Sequence, residues 1–301
     1  MDISLALGGG GSKGNAHIGV LRKLEAEGFK IRAIAGTSIG GLIGAVYLSG
    51  YSPEQMLDHF RGIDQNKLFG RERSEQPSLL GLAGTTRVLT ELIGDRTFKD
   101  LSTPFAVTAV DLNTGKPVTI DTGSLIDSVL ATIAVPGIFP ARKWEDFLLV
   151  DGGIINPIPV SIARSLAPAC PVVAVALTQL SDPYTGVPVP HISRPATVIS
   201  YLSKLRVAQA LDVFLRSMDI SGRLLTELRL EVDNPDVIIR PNLAGIGLLD
   251  RVNIEEVVNR GEEAVEDGLD ELKRVVGWPY RAAKLLGITK FLDRFISGEE
   301  R

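Results

Sequence analysis

The sequence predicts an α/β fold with a parallel central sheet, followed by a mostly helical C-terminal region. Short apolar runs alternate with helical patterns from the N-terminus onward, and this order produces parallel strands joined by crossover helices. Residues 171–177 form an unbroken apolar run, as expected of a central strand buried on both faces. The 301 residues are 45% hydrophobic and 23% charged, which is the composition of a globular protein with a sizeable core.

Each element is predicted from its own pattern. Helices are assigned where apolar residues recur at helical spacing, and strands where short apolar runs are bounded by glycine, proline or other turn residues. Strands are predicted at residues 3–7, 31–35, 103–111, 117–121, 147–150, 171–177 and 237–241. Helices are predicted at residues 15–27, 41–50, 125–135, 196–231 (as one or two helices) and 254–276.

A group of prolines after residue 180 divides the chain. We expect a catalytic domain at residues 1–180, a linker at 181–195 and a mostly helical region at 196–301 that packs on the core. The last segment, residues 280–301, mixes apolar with cationic side chains, which fits a helix lying on a membrane surface or one packed on its own domain. Residues 64–84 are irregular and predict a surface loop or a mobile flap.

Composition excludes several classes of protein. The formal net charge of −4 without a basic patch argues against a nucleic-acid partner. A single cysteine excludes an intrachain disulfide and fits a reducing compartment, and the lack of His and Cys clusters predicts no metal site. The N-terminus lacks a basic leader, and no apolar stretch is long enough to span a bilayer. We therefore expect a cytoplasmic protein without a cofactor, with peripheral membrane contact left open.

The most informative motif is G-T-S-I-G at residues 36–40, which places Ser38 between Gly36 and Gly40. A predicted strand precedes it and a small-residue helix follows it. A serine on such a strand-to-helix turn projects its hydroxyl above the sheet, and the flanking glycines allow the tight bend. The helix N-terminus behind the serine offers a positive dipole end to a developing oxyanion. Ser38 is therefore a candidate nucleophile.

A glycine loop follows the first strand, in the sequence G-G-G-G-S-K-G at residues 8–14. Gly9, Gly11 and Gly14 match the dinucleotide-binding signature G-x-G-x-x-G, but the next strand does not end on the acidic residue that would hold a ribose. A phosphate-binding P-loop fails as well, because Lys13 is followed by Gly14 and not by serine or threonine. The loop is then either a tight strand–helix connection or an oxyanion hole with Lys13 adding positive charge.

A serine nucleophile needs a base, and the best candidate is Asp151. It ends a buried strand and precedes two glycines, so its carboxylate should emerge at the carboxyl edge of the sheet together with Ser38. An aspartate that only opens a turn fits the same pattern. Of the three histidines, His17 and His59 read as helix residues, whereas His191 follows Asp151 in a Ser–Asp–His order.

Three motifs in this order resemble the patatin-like phospholipases, over about residues 3 to 180. They are the glycine loop, G-x-S-x-G and D-G-G at residues 151–153, with further matches in A-H-I-G-V-L at 16–21 and A-V-P-G-I-F-P at 134–140. The resemblance implies a three-layer α/β/α fold with a mainly parallel sheet and a Ser–Asp dyad without histidine. It gives Ser38 the nucleophile role and Asp151 the base role.

The same resemblance assigns the remaining site positions. Gly9, Gly10 and Gly11 take the oxyanion role. Lys13 stands where arginine is frequent, which keeps the charge but loses the planar fork. Supporting positions are Lys13, Gly14, Gly36, Gly40, Gly152 and Gly153.

The function that the resemblance implies is hydrolysis of carboxylic esters of lipids through an acyl-enzyme, as a phospholipase A, a lysophospholipase or a simpler esterase. An ordinary aspartate is a weak base at neutral pH, so burial should raise the pKa of Asp151. Two other interpretations stay open: a catalytically silent binding module of the same fold, and a Ser-His-Asp esterase that uses His191.

Overall fold

A single eight-stranded sheet forms the centre of the protein in the computed structural model, which describes residues 1–70, 78–178, 198–277 and 280. The predicted linker at 181–195, His191 and the tail from residue 281 onward lie outside the described residues. The strands are β1 (Asp2–Leu7), β2 (Lys30–Thr37), β3 (Phe105–Asp111), β4 (Pro117–Ile120), β5 (Arg142–Trp144), β6 (Phe147–Asp151), β7 (Val172–Val175) and β8 (Val237–Ile239).

The sheet is mainly parallel, as predicted. The strands are hydrogen-bonded to their neighbours in the sequence β5-β6-β3-β2-β1-β7-β8, and β4 pairs with β3 as well. The five strands from β3 to β8 run parallel to one another, whereas β4 and β6 pair antiparallel with β3, and β5 pairs antiparallel with β6. The antiparallel strands therefore gather at the β3 side of the sheet.

The described helices agree with the predicted ones, except at residues 254–276. They are α1 (Ala16–Ala26), α2 (Ile39–Leu48), α3 (Pro53–Gly62), α4 (Ala83–Ile93), α5 (Leu125–Thr132), α6 (Val160–Leu166), α7 (Val198–Asp233), α8 (Ile254–Asp267) and α9 (Leu269–Val276). The single helix expected at 254–276 is wrong, because the chain breaks at Gly268 into α8 and α9. Sequence analysis did not assign α4 and α6, and it gave no bounds to the helix expected at His59, although Ser52 and Gln55 form a capping box around Pro53 at the start of α3.

Helices cover both faces of the sheet, which gives the three layers. Alternate strand residues point to opposite sides, so that Leu5 and Leu7 of β1 join one core cluster while Ala6 joins the other. The larger cluster includes residues of α1, α2 and α8, and the smaller one includes residues of α6 and α7. The α/β/α fold class predicted from the sequence is confirmed.

The C-terminal region is part of this core. β8 extends the sheet by pairing in parallel with β7, and α8 lies directly against α1. Two glycines permit this contact, because a Cβ on Gly19 would lie 1.8 Å from the Val258 carbonyl oxygen and one on Gly261 would lie 2.1 Å from that of Ala16. Arg22 and Glu262 form an ion pair between the same two helices.

Within the described part of the chain, no helix combines the length and the apolar character that a membrane crossing requires.

The close contact between α1 and α8 generates a stability prediction. We expect Gly261→Ala to lower the free energy of unfolding by about 1–3 kcal/mol, because the new methyl group meets backbone atoms that cannot move aside. Gly62→Ala in α3 is the matched control, since nothing lies within 4 Å of its Cβ position. Urea denaturation of the two variants measures the difference, and equal midpoints would contradict the packing argument.

Candidate active site

Two strands meet end to end along one edge of β3, and this brings the predicted residues together. β2 pairs with β3 up to Thr37 opposite Thr108, and β6 pairs with β3 from Asp151 opposite Ala109. β4 pairs with both Thr108 and Ala109 on the other edge, so β2 and β6 share the same edge. The end of β2, which carries Ser38, therefore faces the end of β6.

Ser38 occupies the sharp turn between β2 and α2. Its backbone has φ 55° and ψ −126°, a conformation that non-glycine residues adopt only under strain. Its N–H donates to Thr132 Oγ1 at 2.9 Å, and its carbonyl accepts from the Leu42 N–H at 3.1 Å. The side chain is only 8% exposed. This is the geometry of a nucleophile elbow.

The glycines around Ser38 are required by close packing. A Cβ on Gly40 would lie 2.2 Å from the carbonyl oxygen of Leu7, and one on Gly36 would lie 2.5 Å from the backbone of Gly41. A Cβ on Gly14 would collide with Ile39, the first residue of α2. The glycine loop, the serine turn and α2 are therefore packed backbone to backbone.

Asp151 is buried beside Ser38, whose hydroxyl interacts with the Asp151 carboxylate. One of its carboxylate oxygens also accepts from the Gly153 N–H at 2.7 Å. Burial raises the pKa of Asp151 from its usual 3.8 to about 6, although the hydrogen bonds from Ser38 and Gly153 act in the opposite direction. A Cβ on Gly152 would lie 2.1 Å from Thr108 Oγ1, so the turn after Asp151 has no room for a side chain there.

A row of buried threonines supports the two residues. Thr37 Oγ1 and Thr108 Oγ1 are 2.8 Å apart, and Thr37 Oγ1 donates to the carbonyl oxygen of Asn156 at 2.9 Å. Thr132 fixes the Ser38 backbone from α5. Sequence analysis did not single out these threonines, because only the tertiary pairing of β2, β3 and α5 brings them to the site.

The glycine loop extends the backbone pairing beyond β1. The Gly8 N–H donates to the Val175 carbonyl and the Gly9 N–H to the Pro157 carbonyl, both at 3.0 Å. Gly9 therefore does not fit its predicted role as an oxyanion donor, because its N–H already donates to the Pro157 carbonyl. Gly10 precedes the 3₁₀ turn at Gly11–Asn15 and Gly11 opens it, and the first N–H groups of such a turn have no acceptor from within it.

The two described histidines do not contact Ser38 or Asp151. His17 is fully buried and its Nε2–H donates to the Gly8 carbonyl at 2.8 Å, a bond that assigns the tautomer. Burial lowers the pKa of His17 to about 4, so it is neutral at physiological pH and anchors the glycine loop. His59 lies exposed on α3 against Tyr51.

Ser38 and Asp151 lie in a cavity of about 390 Å³. Gly9, Gly10 and the largely buried Lys13 line it near the serine. Both apolar and polar side chains of α7 close the other side, together with the loop that precedes α8. Among these α7 residues are Phe214, Met218 and Leu225. The cavity thus combines a hydroxyl group, a carboxylate and the glycine loop with a wall that is partly apolar.

Comparison with known proteins identifies relatives of this chain. The family model described as patatin-like phospholipase matches residues 5–164, just over half of the chain. An uncharacterised NTE family protein of Mycobacterium tuberculosis is 33% identical over 166 residues, covering 53% of this chain and 44% of the relative. The lysophospholipase nte1 of Aspergillus fumigatus is 25% identical over 297 residues, covering 90% of this chain and 18% of the relative. The chain thus spans less than half the length of these relatives.

The fold has a counterpart among solved structures. The crystal structure of VipD from Legionella pneumophila superimposes with a TM-score of 0.52, covering 91% of this chain and 66% of VipD. At 12% sequence identity this likeness supports the fold alone. The matched segment contains the glycine loop, Ser38 and Asp151 in one continuous stretch. The chain belongs to the patatin-like phospholipase family.

Proposed function

We propose that this protein hydrolyses carboxylic ester bonds of lipids, with Ser38 as nucleophile and Asp151 as general base. The observation that carries the proposal is the placement of the Ser38 hydroxyl, in the same cavity, beside a buried carboxylate whose pKa is raised to about 6. Membership of the patatin-like phospholipase family and a relative named as a lysophospholipase support the same substrate class.

In the first half of the reaction, Asp151 accepts the hydroxyl proton as Ser38 Oγ attacks the carbonyl carbon of the ester. The carbonyl oxygen becomes an oxyanion, which accepts hydrogen bonds from the N–H groups of Gly10 and Gly11. The intermediate collapses to an acyl-serine as the ester C–O bond breaks. The proton on Asp151 passes to the leaving alcohol.

The second half repeats these roles with water. Asp151 takes a proton from a water molecule, whose oxygen attacks the acyl carbon. The bond to Ser38 Oγ then breaks, Ser38 regains a proton from Asp151, and the free acid leaves. Positive charge from the buried Lys13 in the cavity wall stabilises the two oxyanions further.

The cavity wall supports an acyl chain as the group that is bound. Phe214, Met218 and Leu225 present apolar surface toward the catalytic pair. Burial of such surface contributes about 25 cal/mol per Å², so long-chain esters should bind more tightly than short ones. The cytoplasmic location expected from the composition stays a prediction.

Replacement of either member of the pair tests the mechanism. We expect Ser38→Ala and Asp151→Asn each to lower kcat/KM for a soluble ester by at least about 10³-fold, since each removes a group that acts in the transition state. His59→Ala is a control that should keep full activity, because His59 lies on the surface of α3.

Labelling by a serine-directed fluorophosphonate separates an enzyme from a silent binding module. The probe should label the native protein and leave Ser38→Ala unlabelled. His191→Ala tests the triad interpretation. Loss of hydrolysis in His191→Ala together with an active Asp151→Asn variant would replace the dyad by a Ser-His-Asp site.

The raised pKa of Asp151 predicts the pH dependence of the reaction. Asp151 is a base only when it is ionised, so kcat/KM for a non-ionising ester should fall as the pH is lowered through about 6. An acid limb centred near 3.8, the usual aspartate value, would mean that burial does not tune this carboxylate.

The same shift predicts a stability effect of known sign. Between pH 3.8 and about 6 the folded protein holds a proton that the unfolded chain releases, so ionisation of Asp151 destabilises the fold. The free energy of unfolding of the native protein should therefore fall with rising pH across this window, by up to about 3 kcal/mol relative to Asp151→Asn. Parallel urea titrations measure the difference, and a constant difference would contradict the shift.

A further inference from the structure

The long helix α7 turns polar as well as apolar side chains toward the cavity. Arg223 and Thr226 are buried, and the Arg223 guanidinium forms an ion pair with Asp219 at 2.6 Å, one turn away. Thr226 Oγ1 donates to the carbonyl oxygen of Gly222 at 2.8 Å. All four of these residues line the cavity that contains Ser38.

The opposite side of α7 is apolar and exposed. We call the side formed by Val213, Ile220, Leu224, Leu228 and Val232 the outer face of α7. The exposed fractions of these side chains run from 48% for Leu228 to 75% for Val232. A helix on the surface of a protein in water normally has the reverse arrangement, with apolar residues toward the core. An exposed apolar surface of this kind indicates an interaction partner.

Two carboxylates of this part of α7 are held by ion pairs. Asp219 pairs with Arg223, and Glu227 forms two hydrogen bonds with Arg240, at 2.7 and 2.8 Å. The exposed side chains described between residues 213 and 232 are aliphatic, aromatic or serine, apart from Arg216 and Glu231. The outer face is therefore mainly apolar with one acidic group, which suits a zwitterionic lipid surface better than an anionic one.

The outer face is continuous with the cavity. Phe214 is 46% exposed and also lines the cavity, next to Val213 of the outer face. A long-chain lipid ester, the substrate class proposed above, is held in a membrane and must leave it to reach Ser38. A helix with one side on the cavity and an apolar side outward provides a route between the two.

We propose that the outer face of α7 docks on the surface of a phospholipid bilayer and positions the cavity to receive a lipid along Phe214. This inference rests on the proposed function for the identity of the docking partner. A second copy of this chain, or another segment of it, would cover the same surface without any requirement for lipid.

Vesicle binding by the full chain tests the proposal. The probe is phosphatidylcholine vesicles, and the test variant is Ile220→Gln/Leu224→Gln/Leu228→Gln, whose three residues do not line the cavity. We expect the native protein to cosediment with vesicles and the triple variant to bind at least about tenfold more weakly, because apolar surface no longer enters the lipid. Leu112→Gln, at a side chain that is 49% exposed in the β3–β4 turn, is the matched control and should bind like the native protein.

Hydrolysis of a soluble short-chain ester separates this proposal from the proposed function. All three proteins should hydrolyse that ester equally, whereas only the triple variant should lose activity on vesicles. If the native protein binds vesicles through α7 but hydrolyses no ester, the proposed function fails and the docking surface stands. If it hydrolyses the soluble ester without binding vesicles, the docking surface is wrong.

Two more outcomes would overturn the docking surface. One is vesicle binding by the triple variant that equals that of the native protein. The other is a change from dimer to monomer in sedimentation velocity with unchanged vesicle binding, which would assign the outer face to self-association. Should the triple variant fail to fold, Leu224→Gln alone should weaken vesicle binding, and native-like binding by that variant would count against the proposal.

Discussion

The site depends on how β3 divides one of its edges between two strands. β2 holds this edge as far as Thr108, and β6 enters from the opposite direction at Ala109. The pairing of β2 and β6 with β3 therefore places the Asp151 carboxylate beside Ser38. Side chains alternate between the two faces of a strand, so a shift of one residue in either register would turn Asp151 away from Ser38. The threonines of β2 and β3 bond to each other at this junction and reinforce it.

The pair of Ser38 and Asp151 is unfavourable for stability in two respects, and the surrounding structure compensates for both. A serine with φ 55° carries backbone strain of about 1–3 kcal/mol, and a buried aspartate loses hydration when it ionises. Thr132 and Gly153 provide hydrogen bonds at these two points. The close-packed glycines leave the turn no space to relax. The same rigidity keeps the hydroxyl and the carboxylate in contact before a substrate arrives.

Much of this arrangement could be predicted from the sequence, because local patterns encode it. The α/β class follows from the alternation of strands and helices, and the G-x-S-x-G pattern at its strand–helix boundary locates Ser38. Asp151 was expected beside Ser38 at the carboxyl edge of a parallel sheet, whereas β6 arrives antiparallel to β3. The direction of a short strand depends on its partner and cannot be predicted from the residues of the strand itself.

Other features lay beyond the sequence for similar reasons. The hydrogen bond from the Gly9 N–H to Pro157 and the one from the Ser38 N–H to Thr132 both join residues that are far apart in the sequence. Ser38 and Thr132, for example, are 94 positions apart. The inward polar side of α7 is another case, because the helical pattern alone does not say which side faces the core. The break between α8 and α9 at Gly268 could have been predicted, because glycine is a frequent helix terminator.

The contact between α1 and α8 has a consequence for folding during synthesis on the ribosome. Arg22 and Glu262, which pair across these helices, are 240 residues apart in the chain. α1 is synthesised before the helix that covers it, and residues 27–253 lie between the two helices. Contacts of such large sequence separation form slowly, and partly folded chains with uncovered apolar surface tend to aggregate. The side of α1 that α8 covers therefore stays exposed while the intervening residues are synthesised, which is the period when a chaperone would bind it.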